Sequence, residues 1–289
     1  MNILITGSNG QLGSEFKNIK DSFNSFNFFF TDVNECDITS KKSISEYIIF
    51  KNIYCIINCA AFTNVDNAEI EIKKARKLNE LAVQNLVEIC QENNIKLIHI
   101  STDYVFDGSN SHPYRESDQV SPIGVYGKTK RGGELAVINS EIDGIVIRTS
   151  WLYSTFGNNF LKTMLRIGKE KESVNVISDQ IGTPTYARNL ANTCLDILLI
   201  SGLEKISKKA KIYHYSNEGV TSWYGFAVLI MELAELNCQV NPILTKDYST
   251  LAKRPNYSVL DKENIKTDFN IDIQHWKESL KECIIKLKK

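Results

Sequence analysis

The sequence has no charge of either sign to spare: its 289 residues carry 34 Lys and Arg against 34 Asp and Glu. Nothing global therefore favours nucleic acid or an anionic membrane as a partner. Lys281, Lys286, Lys288 and Lys289 suit a solvated terminal helix better than a binding patch. Internal repeats, low-complexity tracts and flexible linkers are also missing. The chain reads as one large domain or two intimately joined lobes, with 43% apolar residues available for a core. Met1-Asn2-Ile3-Leu4-Ile5-Thr6-Gly7 already reads as strand and turn, leaving no room for a charged leader, an apolar signal region and a cleavage site. The expected compartment is the cytoplasm. The seven cysteines are an odd number, scattered and mostly set in apolar runs, which argues for reduced packing residues. Cys55 and Cys59 are closest in sequence, but about 13 Å separates such positions in extended chain. No histidine lies near them to complete a zinc set, so no metal is expected.

What is present is alternation. Short apolar runs at Asn2–Thr6, Phe28–Thr31, Tyr54–Asn58, Lys96–Ser101 and Gly144–Arg148 read as strands separated by amphipathic stretches. In one of these, Glu69–Gln91, the residues Ala75, Leu78, Leu81, Ala82, Leu86 and Ile89 fall near one helical face. Runs too uniformly apolar for half-exposed strands imply a parallel sheet covered on both sides. The expected fold is α/β, a Rossmann-type doubly wound parallel sheet with a smaller C-terminal substrate-binding lobe. Residues 1–150 form the dinucleotide-binding domain in this reading, and residues 151–289 mainly the substrate lobe. Val174–Ile177 is expected to return to the main sheet.

The first run leads into Gly7-Ser8-Asn9-Gly10-Gln11-Leu12-Gly13 and then a helical pattern. Glycines there permit a tight turn, close approach of a pyrophosphate to the backbone, and close helix packing. The helix start supplies free N–H groups and a favourable dipole. The spacing is Gly-x-x-Gly-x-x-Gly rather than the commoner Gly-x-Gly-x-x-Gly. Asp32, at the end of the second strand, stands where a carboxylate grips the adenosine ribose. No Lys or Arg lies between Asp32 and Thr39, which favours NADH over NADPH. Asp37, beside Ile38, could accept from the adenine amino group or cap the next helix. Ala60, Ala61 and Thr63, after the third strand, offer small residues where the cofactor must pass.

Tyr126 and Lys130 are four residues apart, on one helical face, and so could form a proton-donating pair. Tyr47 and Lys51 share that spacing. Only the former pair follows a strand ending in Ser101-Thr102-Asp103, in a chain opened by a nucleotide-binding turn. Ketone reduction by a nicotinamide needs a proton for the oxygen and stabilisation of its developing charge. Tyr126 can donate the proton, Lys130 can favour the phenolate and hold the nicotinamide ribose, and Thr102 can orient the carbonyl. Thr102 could equally satisfy a backbone group at the strand end, and Asp103 could be a cap.

Together, Gly7–Gly13, Asn58-Cys59-Ala60-Ala61-Phe62-Thr63-Asn64-Val65-Asp66, Ser101-Thr102-Asp103-Tyr104-Val105-Phe106-Asp107-Gly108 and Tyr126-Gly127-Lys128-Thr129-Lys130 resemble the extended short-chain dehydrogenases. The blocks Arg148–Tyr153, Gly157-Asn158-Asn159-Phe160, Asp179-Gln180-Ile181-Gly182-Thr183-Pro184-Thr185 and Arg254-Pro255 narrow the likeness: the chain resembles the dTDP-4-dehydrorhamnose reductase family. That resemblance implies NADH or NADPH as cofactor and dTDP-4-dehydro-L-rhamnose as substrate. It implies Thr102, Tyr126 and Lys130 as the triad, with threonine where many relatives have serine. Asp103, Tyr104 and Trp151 would contact the sugar nucleotide, although Trp151 could be core. Arg254 would grip a pyrophosphate, or be a plain surface arginine. Glu15 matches a carboxylate that helps bind magnesium between subunits in some members. Tyr186-Ala187-Arg188-Asn189 replaces the expected partners, however, so neither the metal nor a dimer built on it is carried over; a monomer and a homodimer stay open. Related dehydratases place glutamate where Tyr104 stands. An epimerase would hold its NAD through turnover, and a regulatory subunit of methionine adenosyltransferase is a similar, non-enzymatic alternative.

Overall fold

The computed structural model describes residues 1–201 and 209–288. Six parallel strands form the main sheet. They are β1 (Asn2–Thr6), β2 (Asn27–Phe30), β3 (Ile53–Asn58), β4 (Lys96–Thr102), β5 (Gly144–Thr149) and, after a further strand β6 (Ser173–Ile177), β7 (Lys211–His214). Their order across the sheet is β7-β5-β4-β3-β1-β2, with Leu4 level with Phe29 on one side and Ile56 on the other. The chain thus reverses direction between β1 and β3, and the carboxyl ends beside that switch are where ligands bind in open sheets.

Alternation of side chains explains why the strands are apolar throughout. Ile3, Ile5, Cys55, Ile57, Ile98, Ile145 and Ile147 point to one face, against Leu12, Phe16 and Ile19 of α1 (Gln11–Ile19). The same face is covered by Leu190, Cys194 and Leu198 of α8 (Ala187–Ser201) and by Ile265 and Phe269 of α10 (Glu263–Phe269). Leu4, Ile56, Leu97 and Val146 point the other way. Their cover comes from α2 (Lys41–Ile48), α5 (Ala82–Asn93) and α6 (Val125–Ile138). A third core joins α7 (Phe160–Glu170), α9 (Trp223–Ala234) and α11 (Trp276–Lys288) through Leu161, Phe226, Ile230, Trp276 and Leu280. Lys286 and Lys288 lie on α11, whose inner face carries Leu280, Cys283 and Ile284 into that core.

Two expectations need correction. Val174–Ile177 does not rejoin the main sheet: β6 pairs in parallel with β8 (Gln239–Ile243), and only Val176 of its five residues is buried. A half-exposed strand suits a two-stranded ribbon, and the edge of the main sheet is taken instead by β7, whose Lys211 is level with Ile145. Nor is Glu69–Gln91 one helix. It divides into α3 (Val65–Ile70), α4 (Ile72–Arg76), a π turn (Lys77–Leu81) and α5. Glu71 leaves helical geometry at φ −99°, ψ 47°, and Ala82 N–H bonds back five residues to Lys77 O. Such π turns recur at functional sites.

Candidate active site

The cleft is built from the turn after β1. Gly7 has φ +62°, and a Cβ there would stand 2.6 Å from Ala60 Cα, so glycine lets the turns after β1 and β3 touch. At Gly13 a Cβ would meet Ser8 Cα at 2.4 Å, which is how α1 starts so close to the strand. Gly10 is the N-cap of α1, with no side-chain cap bond and no acidic residue in the first turn. The amides of that turn are thus left for an anion, which the helix dipole favours.

Asp32 flanks this turn. Its Oδ2 accepts from Asn9 N (3.1 Å) and its Oδ1 from Val33 N (2.8 Å). Asp37 accepts from Thr39 N at 2.9 Å, while the cap of α2 is Ser40, which accepts from Ser43 N. Gly7, Gly10, Gln11, Leu12, Gly13, Asp32, Asp37, Ile38, Ala60, Ala61 and Thr63 all line one cleft of about 1020 Å³. Thr102, Asp103, Tyr104, Tyr126, Lys130 and Trp151 line the same cleft. A nicotinamide dinucleotide fits this wall, because Gly7, Gly10 and Gly13, which carry no side chain, line the cavity together with the Asp32 carboxylate.

The chemistry-bearing end is a hydrogen-bonded chain. Thr102, the last residue of β4, donates from Oγ1 to Asp103 Oδ1 (3.0 Å) and accepts from Tyr104 N (3.2 Å). Burial pushes the Tyr126 phenol up to about 12, and a hydrogen bond with Thr102 works against it. Burial likewise pushes the Asp103 carboxyl up to about 6, opposed by Ser258, Thr102 and backbone donors. Lys130 is 2% exposed and donates from Nζ to Ile100 O at 2.6 Å. Its burial lowers the ammonium to about 8, with Glu134 as the chief opposing influence. Tyr47 and Lys51 are elsewhere: Lys51 donates to Tyr47 O and sits 4.1 Å over the Tyr47 ring, outside the cleft.

Trp151 has φ +47° and stacks on Trp223 with centroids 3.7 Å apart, and both line the cleft. Gly182 permits this, since a Cβ there would be 2.7 Å from the Trp151 indole. Arg254 does not line the cleft. Its guanidinium is bidentate on Asp66 (2.7 and 3.3 Å), and that contact holds the Asp66 carboxyl below its ordinary value. Glu15 is fully buried, accepts from Ser154 Oγ at 2.6 Å and is raised by burial against the pull of Arg188 and Lys286. Two cations beside it do not suit a metal, and no group of three or more His, Cys, Asp or Glu that could hold one occurs among the described residues.

Sequence reading passed over Trp223 and Asn79. Trp223 heads an apolar helical run with nothing to set it apart from core. Asn79 lies in the π turn, 1% exposed, and binds both Phe62 N (2.8 Å) and Phe62 O (3.1 Å) while donating to Thr129 Oγ1 (3.1 Å). It ties the Ala60–Thr63 loop to the helix carrying Tyr126 and Lys130. A buried polar residue inside an amphipathic run was the available signal. Asn79→Ala strands buried backbone groups, so urea unfolding should show a loss of about 2–4 kcal/mol, with weaker nicotinamide binding.

The parallel sheet, the glycine turn and this cleft are those of a Rossmann-type, NAD(P)H-dependent oxidoreductase. A family model described as RmlD substrate binding domain matches residues 1–289. The chain is 40% identical to a dTDP-4-dehydrorhamnose reductase of Aggregatibacter actinomycetemcomitans, over 96% of this chain and 97% of that one. Among solved structures, a dTDP-4-dehydrorhamnose reductase of Clostridium acetobutylicum superposes with TM-score 0.92 at 38% identity, covering 100% of both chains. One from Bacillus anthracis, solved in complex with NADP, gives 0.90 at 34% identity over 99% of both. The protein belongs to the dTDP-4-dehydrorhamnose reductase family.

Proposed function

We propose that the protein reduces the C4 ketone of dTDP-4-dehydro-L-rhamnose to the alcohol of dTDP-L-rhamnose. The observation that carries this is the meeting of Thr102, Tyr126 and Lys130 in one cleft with the Gly7–Gly13 turn, in a chain that matches the reductases over its whole length. When bound, the reduced nicotinamide supplies the hydride. Thr102 turns its hydroxyl from Asp103 to the substrate oxygen and fixes the carbonyl. Tyr126 delivers its proton to that oxygen; a developing alkoxide is far more basic than a phenolate, so a phenol near 12 still donates downhill. Lys130 balances the phenolate and can return a proton to it. Asp103, Tyr104 and the Trp151–Trp223 stack form the sugar-nucleotide side, with the indole faces suited to an apolar ring surface. Arg254 reaches a diphosphate by exchanging Asp66 for it. Tyr104 stands where a dehydratase carries glutamate, which favours simple reduction over elimination.

The test is incubation of the purified protein with dTDP-4-dehydro-L-rhamnose and NADH or NADPH, following nicotinamide absorbance and the sugar product. Product dTDP-L-rhamnose in step with nicotinamide oxidation is expected. Turnover of another nucleotide sugar alone, NAD retained through purification with epimerisation, or co-purification with a synthetase and no turnover would each replace this reading.

Asp32 should make NADH a competent reductant, because its carboxylate can take the ribose diol and repels a ribose phosphate. In Asp32→Ala the ratio of kcat/KM for NADPH to that for NADH should rise about tenfold, the effect of roughly 1.4 kcal/mol. An unchanged ratio would remove Asp32 from the ribose.

A further inference from the structure

We propose that Glu134 is a positioning residue for this reaction: its carboxylate holds the end of β4, with Thr102, against the turn of α6 that carries Tyr126 and Lys130, and supplies the counter-charge for the Lys130 ammonium. The inference rests on the roles proposed for Thr102, Tyr126 and Lys130. Glu134 itself touches neither the cleft nor a reacting atom.

Glu134 lies one helical turn beyond Lys130 and is fully buried. Its Oε1 accepts from Ser101 Oγ on β4 (2.7 Å) and from Arg148 Nε on β5 (2.8 Å). Its Oε2 accepts from Arg148 Nη2 (2.9 Å) and Arg131 Nη1 (2.8 Å). Lys130, a turn earlier, is fastened to Ile100 O. Consecutive residues of β4, Ile100 and Ser101, are therefore both tied to α6, and the next residue is Thr102. Arg148 extends the tie to β5, where it is level with Ser101 while Thr149, which lines the cleft, is level with Thr102. One carboxylate thus joins the three elements that bring Thr102, Tyr126, Lys130 and Thr149 together. A leucine would fill the space at far lower desolvation cost, so four donors converging on a buried anion mark a specific arrangement rather than packing.

The surrounding charges leave Glu134 as the effective partner of Lys130. Tyr126 on the same helix and Cys59 after β3 are both raised by burial, and His99 on β4 is held well below its ordinary value, so all three are neutral near pH 7. Glu80, on the π turn against Gly132, is engaged by Arg76. Arg131 and Arg148 are cations bound to Glu134, and His214 on β7, 3.3 Å from Arg148 Nη1, is lowered to about 3 and neutral. Asp103, the acid at the Thr102 end of the cleft, accepts from the Thr102 hydroxyl, and Asp32 and Asp37 line the cleft at the glycine turn.

The test titrates Lys130 directly, by NMR of protein labelled with 13C at lysine Cε, the signal being assigned from its loss in Lys130→Met. In Glu134→Gln the Lys130 midpoint should fall by about one pH unit or more, the effect of removing a nearby opposite charge. An unchanged midpoint overturns the proposal. Should Glu134→Gln not fold because Arg148 is left unpaired, Glu134→Met/Arg148→Met removes both charges at similar volume and should fold with a downward shift smaller than about one pH unit, because the Arg148 cation is lost with the carboxylate that lies closer to Lys130 in sequence; a midpoint at or above that of wild type overturns the proposal equally. With the keto sugar, Ser101→Ala cuts the tie to β4 alone and should lower kcat about tenfold or more, with KM for NADH and the alkaline limb of the pH profile unmoved. Glu134→Gln should lower kcat and move that limb to lower pH. Variants as active as wild type overturn the positioning role, whereas an inactive wild type bears on the assigned substrate and leaves the Lys130 titration to decide.

Discussion

Tyr126→Phe should lower turnover about a hundredfold to ten-thousandfold, the usual worth of a positioned general acid. The ring keeps its volume and its edge contact with Tyr104, whose centroid is 5.5 Å away, so folding and NADH affinity should change little. The molecule contains its own control. Tyr47 has a lysine at the same spacing, but its partner lies over its ring and neither residue borders the cleft. Tyr47→Phe, assayed in parallel, should leave kcat near wild type. Near-normal turnover in Tyr126→Phe would end the proposed chemistry.

Lys130→Met should abolish most turnover and weaken nicotinamide binding together, since one ammonium is assigned to both the phenolate and the ribose. Its effect on stability runs the other way. The fold lowers Lys130 from its ordinary 10.5 to about 8, so protonating it opposes folding. That penalty is full below pH 8 and gone above 10.5; a shift of this size corresponds to about 3 kcal/mol. Methionine removes it but leaves Ile100 O without its donor, which costs about 1–2 kcal/mol. Relief from burying a charge outweighs the lost hydrogen bond, so without nicotinamide the variant should unfold at a higher temperature at pH 7, and the gap should close as pH approaches 10. A lower Tm at pH 7 would show that the hydrogen bond, not the buried charge, dominates.

Much of this was legible in the sequence because the governing patterns are local. The first five strands are short uninterrupted apolar runs, and the Gly7–Gly13 turn and Tyr126–Lys130 spacing are contiguous. What escaped depends on distant partners. Lys211–His214 is four residues long and opens on a lysine; it becomes a sheet strand because β5 offers it an edge. Ser173–Ile177 looks equally apolar but meets Gln239–Ile243 instead. The break at Glu71 and the π turn carry no proline or glycine; they arise where Asn79 is drawn inward to Phe62 and Thr129. The role of Arg254 could not be read from Arg-Pro alone, because its partner Asp66 is 188 residues earlier.

The arrangement of α8, α10 and β7 bears on how the molecule comes into being. The glycine turn proposed to cradle a dinucleotide lies within residues 1–13, yet the sheet behind it gains the second of its two edge strands only at Lys211–His214 and its outer cover from Ala187–Ser201 and Glu263–Phe269. A nascent chain leaving the ribosome therefore holds the beginning of its cofactor cradle long before it holds the wall that keeps it rigid. Until more than two hundred residues have emerged, Ile3, Ile5, Ile145 and Ile147 have no complete cover. During that interval the growing chain exposes a sheet face suited to a chaperone, and a truncated message ending near residue 150 would yield an aggregating fragment rather than a working half.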